Sequence, residues 1–229
     1  MTTFADPTFA ASFQGLCNKV ADTLNRQDLT SVIPDFTVMA TTRISRDMAR
    51  LKHPGSITRA IASVVNDYAP LPTDFLSMYQ LMDQDTRIAL VYITPDQSMT
   101  IQSDGWKPPS GAPTDNNYLP NRSLIYYTIM GKTLRMVPPP ATSAPATLEM
   151  WYYSTLPAIS NGNPTNWVLT QYPDLYLYGS LVHTAPYLKN DERIQVWEGM
   201  YQAILKDIEV EADRAIRPQT KLNAARRSF

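Results

Sequence analysis

Only one cysteine, Cys17, and two histidines, His53 and His183, occur among the 229 residues. A single cysteine excludes an intrachain disulfide, and neither histidine has a second histidine or a cysteine at ligand spacing. No metal or cofactor is expected, and a reducing compartment suits such a chain. Excess charge of either sign is also missing: 20 Lys+Arg against 21 Asp+Glu give a formal net charge of -1 and a pI near 6.1. Without an overall basic field, strong sequence-independent nucleic-acid binding is not indicated, and any charge-based contact must be local. No window approaches about 18 uncharged apolar residues, and the opening MTTFADPTFAASF has no basic start followed by an apolar run. Neither a membrane span nor a secretory leader is expected, which points to synthesis in the cytosol.

Catalytic motifs are scarce as well. Gly131-Lys132-Thr133 resembles the end of a phosphate loop, but Tyr126 stands where that motif needs its first glycine, and the flanks read as a hairpin. No nucleophile-elbow pattern is present. Counting residues does not decide Ser/His/Asp catalysis, because such groups converge only in three dimensions. Cys17 lies within an apolar helical stripe, which favours packing over chemistry. Glu198, Glu209 and Glu211 invite a test for paired acids. Glu198 follows Trp197 on a polar flank, and Glu209 and Glu211 lie in the charged run DIEVEADR, where Lys206 to Glu209 and Glu211 to Arg214 have helical pair spacing. A solvated face is the expectation for all three.

At 44% hydrophobic the chain can bury a sizeable core, as one domain or as a domain carrying a large insertion. Over 7–26, Phe9, Phe13, Leu16, Cys17, Val20 and Leu24 share one face of a helix. After Asp28, Ile33, Phe36, Ala40, Ile44, Met48 and Leu51 mark a second, with Arg43, Arg46 and Arg50 near its edges and Pro34 in its first turn. Beyond His53-Pro54-Gly55 the helical period stops, and 14 of the 19 prolines fall between Pro54 and Pro164. Short β-type runs replace it at 57–65, 75–81, 87–93, 124–129, 133–137 and 147–153, with Met130-Gly131-Lys132 as a tight turn. No helix of crossover length separates them, so mostly antiparallel pairing is expected. Tyr126, Tyr127, Trp151, Tyr152 and Tyr153 suit either sheet packing or a carbohydrate-stacking platform, and packing is favoured.

From 156 the chain returns to helix. Asn163-Pro164 offers a cap and first turn, and Pro173 breaks and restarts the helix. The stretch 166–217 then predicts a helical hairpin. Leu175, Tyr178, Val182 and Ala185 form one stripe and Ile194, Trp197, Tyr201, Ile204 and Ile208 the other, joined by Lys189-Asn190-Asp191 with Asn190 or Asp191 as N-cap. The expected fold is α+β, a helical bundle of N- and C-terminal helices (1–53 and 156–217) with an inserted antiparallel β domain (54–155). A basic arm, 218–229, follows. It is either a solvated terminus or a segment that orders on a partner, with Leu222 and Phe229 as apolar anchors.

Asn166-Trp167, Tyr172-Pro173-Asp174-Leu175-Tyr176-Leu177-Tyr178-Gly179, Ala185-Pro186-Tyr187-Leu188, Asp191-Glu192-Arg193, Trp197, Tyr201 and Ala203 occur in an order that resembles the C-terminal signature of tailed-phage head-to-tail adaptor proteins. The run from Phe36 to Arg46 looks like a diverged form of that family's second helix, with Thr41 and Thr42 where a more acidic pattern is expected. The resemblance implies a non-enzymatic virion protein. Its copies would form a dodecameric ring under the portal protein, extend the channel for viral DNA, and offer a platform to the next tail component, a nozzle or tail tube protein. It also implies that the C-terminal arm reaches the portal, with Arg217, Lys221, Leu222, Arg226, Arg227 and Phe229 as docking candidates. The near-neutral charge suits DNA sliding past without sequence-specific binding. Trp167, Tyr176, Tyr178, Trp197 and Tyr201 exceed what two helices need for mutual burial, so some are expected to face a neighbouring subunit or the inserted β region, and they are the candidates for the contact between subunits. A carbohydrate-binding or hydrolytic tail module built on the aromatic β region, and another neck ring such as a tail terminator, are the alternatives.

Overall fold

The computed structural model describes residues 12–26, 28–103, 125–137, 146–188 and 192–216. In chain order its first elements are α1 (Phe13–Leu24), α2 (Ile33–Arg50), β1 (Ile57–Ser63), β2 (Tyr68–Pro70), β3 (Phe75–Asp83), β4 (Val91–Tyr92) and α3 (Pro95–Ser103). They are followed by β5 (Tyr126–Met130), β6 (Thr133–Val137), β7 (Thr147–Ser154), α4 (Trp167–Gln171), α5 (Pro173–Val182) and α6 (Arg193–Ile216). The class is mixed α+β. The chain divides into two compact units, one of Met1–Ser56 with Thr155–Phe229 and one of Ile57–Ser154.

In the helical unit, α1 starts where the Ser12 hydroxyl accepts the Gly15 N–H at 3.1 Å. It stops at Asn25, whose left-handed φ of 52° lets its own N–H return to the carbonyls of Ala21 and Asp22. Between them Phe13, Leu16, Cys17, Val20 and Leu24 are buried. The earlier part of the expected helix, 7–11, lies outside the described residues. Along α2, Ile33, Phe36, Ala40, Ile44 and Met48 enter the same core, each of the larger ones worth about 1.5–3 kcal/mol of transfer from water.

A second line on α2 is buried but polar. Thr37, Thr41 and Ser45 donate to the carbonyls of Pro34, Thr37 and Thr41 at 2.7, 2.8 and 2.7 Å. Ser45 also accepts the Leu156 N–H at 3.0 Å. Thus paired, these hydroxyls avoid the cost of burying unsatisfied groups. The departure from an acidic pattern at Thr41 follows: a carboxylate at that buried position would have to shed its water.

The cap expected at Asn163 belongs to Asn166, whose side chain accepts the Leu169 N–H at 2.9 Å and opens α4. Pro173 is in the first turn of α5, and Tyr172 links the two helices. The apolar stripe expected to reach Ala185 ends sooner, because α5 stops at Val182 and Ala185–Tyr187 forms a 3-10 turn. Asn190 and Asp191, the expected cap of α6, lie outside the described residues.

The β unit holds two sheets. In the first, β7 is central and pairs antiparallel with β1 and β3, the register running from Ile57 opposite Tyr153 to Ser63 opposite Thr147. In the second, the order is β2-β6-β5-β4, and β5 and β6 form an antiparallel hairpin whose turn uses Gly131 at φ 62°. Leu81, Tyr127, Leu134, Leu148, Met150 and Tyr152 fill the core.

Here the sequence expectations need correcting. The pairing is mostly antiparallel as expected, but β4 pairs parallel with β5, and α3 intervenes in the chain between them, so the region is not free of helix. Parallel partners require a crossover, and PDQSMTIQS supplies helix without a clean apolar stripe. The run expected at 87–93 contributes only Val91–Tyr92 to a strand. The unexpected strand β2 ends in Pro70, which is tolerated because β2 is at a sheet edge.

Candidate functional site

Chemistry-bearing side chains of the helical unit gather along two seams. The first joins α2 to α6. Arg43 makes a two-pronged contact with Glu198, Nη1 to Oε2 at 2.9 Å and Nη2 to Oε1 at 2.5 Å. The same guanidinium stands 4.2 Å above the Tyr201 ring, whose hydroxyl donates to Asp47 at 2.7 Å. Asp47 also receives Arg50 at 3.2 Å. The Arg43 hydrogen bond is the chief reason the Glu198 carboxyl stays below its ordinary range. Burial, helped by Asp47, drives the Tyr201 hydroxyl well above its own. Glu198 was expected on a solvated face; it is instead half of an ion pair 155 residues apart. Neighbour spacing on one helix carries no trace of a partner so distant. His183, at the end of α5, is held below the usual imidazole pKa first by burial and then by Arg43.

The second seam lies where α2 ends. The Nδ1 of His53 accepts the Gly55 N–H at 3.1 Å, which leaves the proton on Nε2, 3.5 Å from the Tyr172 hydroxyl. Tyr172 donates to Glu211 at 2.9 Å, and burial with that bond lifts its pKa to about 12. Trp167 stacks on the His53 ring, centroids 5.0 Å apart. A side chain on Gly55 would meet both rings at 3.1 Å, so only glycine fits without displacement. Glu211 thus engages a tyrosine, and no ion pair joins Glu211 to Arg214 or Lys206 to Glu209 among the described residues.

These seams bring some sequence candidates together. Trp167 belongs to the second and Tyr201 to the first. Tyr176 is enclosed, its hydroxyl receiving the Asn166 amide at 2.6 Å. Trp197 is buried beneath Arg193, and Tyr178 is half-buried against the core. Arg217, Lys221, Leu222, Arg226, Arg227 and Phe229 lie outside the described residues.

In the β unit, buried Glu149 accepts Arg59 Nε at 2.6 Å and Trp151 Nε1 at 3.1 Å, with Arg87 at 3.5 Å. The Arg59 bond chiefly holds its carboxyl below the ordinary range. Tyr127, Tyr152 and Tyr153 are buried, in ring pairs with Tyr92, Phe75 and Tyr79, so the aromatics of this region mainly pack. Burial raises the Cys17 thiol to about 11, which leaves it a poor nucleophile at neutral pH. Among the described residues no three His, Cys, Asp or Glu side chains cluster as metal ligands. No described helix is long and apolar enough to cross a membrane.

No curated protein matches the chain. A family model described as SU10 adaptor protein matches residues 11–222 and so takes in both units. With most of its length matched, the chain belongs to the SU10 adaptor protein family, a family of phage structural adaptors.

Proposed function

We propose that the protein is a structural head-to-tail adaptor of the virion. Copies of it close a ring, dodecameric by resemblance, below the portal protein. The ring continues the channel through which viral DNA passes and presents a platform to the next tail component, a nozzle or tail tube protein. The observation that carries this reading is the family match over residues 11–222. The helical unit supports it by leaving Val38, Met39, Val196, Met200 and Val210 exposed, more apolar surface than its own core uses. Trp167 and Tyr178, only half-buried, keep area for a neighbouring subunit.

The basic segment after Arg217 is the portal-docking arm, with Lys221, Arg226 and Arg227 as charged contacts and Leu222 and Phe229 as anchors. Mixing the purified protein with its portal and averaging particle images tests the whole reading, with a ring stacked on the portal as the expected result. Absence of any association at physiological salt counts decisively against it. Ending the chain at Arg217 is expected to preserve folding and lower portal affinity at least about tenfold, as several exposed charge contacts and two apolar anchors are removed. An affinity equal to the parent's removes the arm from the proposal.

A further inference from the structure

Among the described residues, six large apolar side chains are exposed on the helical unit, and five of them lie on α2 or α6: Val38, Met39, Val196, Met200 and Val210. Both helices change character along the exposed strip. On α2, Met39 is followed after three, seven and eleven residues by Thr42, Arg46 and Arg50. On α6, Met200 is followed at the same steps by Ala203, Asp207 and Glu211, and all eight residues are exposed. These intervals are those of one helix face, and they put the charges roughly 10 and 16 Å beyond each methionine. One strip runs from apolar to basic, the other from apolar to acidic, with matching spacing. Past these residues the charge does not keep one sense: Lys52 follows the basic end of α2, while Arg214, exposed three residues after Glu211 on the same face of α6, ends the acidic run.

The two helices also point the same way. Arg43 meets Glu198, Asp47 meets Tyr201, and Glu211 is reached from His53 through Tyr172, so the contacts ascend both helices together. Rotation about an axis along these helices keeps α2 of one copy parallel to α6 of the next, whereas a two-fold axis across them reverses one.

We propose that the outer strip of α6 seats on the outer strip of α2 of a second copy of this chain. The helices run parallel, Met39 and Met200 mark the apolar end, and Arg46 with Asp207 and Arg50 with Glu211 form the charge pairs. The proposal rests on the ring reading above and names its contact. Reversing one helix sets methionine against charge, so the order of residues selects the parallel arrangement. Exposed pairs of this kind fix register and partner more than they add affinity, and the apolar end supplies the buried area. Arg50 also touches Asp47, and Glu211 accepts from Tyr172, but a guanidinium and a carboxylate both have further sites. Since one face meets a different face, the contact repeats from copy to copy and closes only as a ring.

Two full-length variants test it, Arg46→Glu with Arg50→Glu and Asp207→Lys with Glu211→Lys, each confirmed as folded by circular dichroism. Alone, either opposes like charges at every junction, and assembly is expected to weaken at least about tenfold. Mixed in equal amounts they restore every junction, provided the two alternate around the ring. Native mass spectrometry should then find only even-numbered rings holding equal numbers of each variant. Tyr172→Phe removes the hydroxyl's contacts with Glu211 and His53 while keeping both charge pairs, and should assemble like the parent. Should the lysine variant unfold, Asp207→Lys mixed with Arg46→Glu makes the same comparison. Variants that assemble alone as the parent does, or a mixture that fails to recover while the parent forms rings, overturn this interface and leave the adaptor reading standing. A parent that forms no ring, alone or on the portal, overturns both.

Discussion

The helical and β units bury polar groups by different means. In the helical unit the polar contacts join segments far apart in sequence: Arg43 to Glu198, Tyr201 to Asp47, Ser45 to the Leu156 amide. In the β unit buried Glu149 is served by Trp151 on its own strand and Arg59 on the next; among the described residues both units bury polar atoms without a hydrogen-bond partner, Ser98 and Thr128 here and Ser180 and His183 Nε2 in the helical unit. The apolar reserves differ too. Among the described residues the helical core counts 23 buried side chains and the β core 11. Both units carry ion pairs, but the one with the thinner core is more exposed to the removal of any single group.

That contrast can be broken from either side. Phe36→Ala is expected to cost about 3–5 kcal/mol, and Leu148→Ala about 2–5 kcal/mol, by opening a cavity in the respective core. Amide hydrogen exchange distinguishes them: the first should speed exchange in α2 and α5 and spare β7, the second the reverse. Exchange rising equally in both units after either change would mean they unfold as one.

Gly179→Val comes next. A side chain there meets Tyr201 at 3.2 Å and Ala40 at 3.5 Å, so overpacking where α5 crosses α6 should cost about 2 kcal/mol, seen as a lower denaturation midpoint. In the β unit, Gly131→Ala forces a side chain into the left-handed region at a cost of about 1 kcal/mol, all of it backbone strain, since the added methyl group points into open space. The same denaturation midpoint reads it. Titration gives the smallest effect. Both His53 and His183 have their pKa lowered mainly by burial, so the unfolded chain binds protons first. Stability should therefore be complete above the ordinary histidine range, near pH 6.5, and fall as pH drops through the lowered values. His53→Asn keeps an acceptor for the Gly55 amide and should flatten part of that slope in melts from about pH 7 to 5.

The same contrast explains what could be read from residues alone. Helix faces in α1, α2 and α6 repeat over many turns, and a wrong partner does not change the period. The strands β5, β6 and β7 were legible because alternation and the Met130-Gly131 turn are local. β2 and α3 were not: Tyr68–Pro70 is too short to alternate, and Pro95–Ser103 has no sustained apolar face, so both owe their form to neighbours. In the candidate site, Trp167 and Tyr201 stood out as aromatics. Arg43, Asp47, His53 and Glu198 did not, because their significance is a meeting of distant segments and leaves no spacing to find. Glu198 shows the limit best: its neighbours on α6 describe a solvated flank, and its partner is on another helix.

The strands at the two ends of the β unit are adjacent. Ile57 is opposite Tyr153, and the hydroxyls of Thr58 and Ser154 are 2.9 Å apart, so the chain enters and leaves that unit along neighbouring antiparallel strands. Paired residues in such strands are only about 5 Å apart at their Cα atoms. A gap that small is spanned by an ordinary tight turn. The two ends of Ile57–Ser154, nearly a hundred residues apart in the chain, are thus brought within reach of one short turn, so no long linker is needed to join Ser56 to Thr155 in its absence.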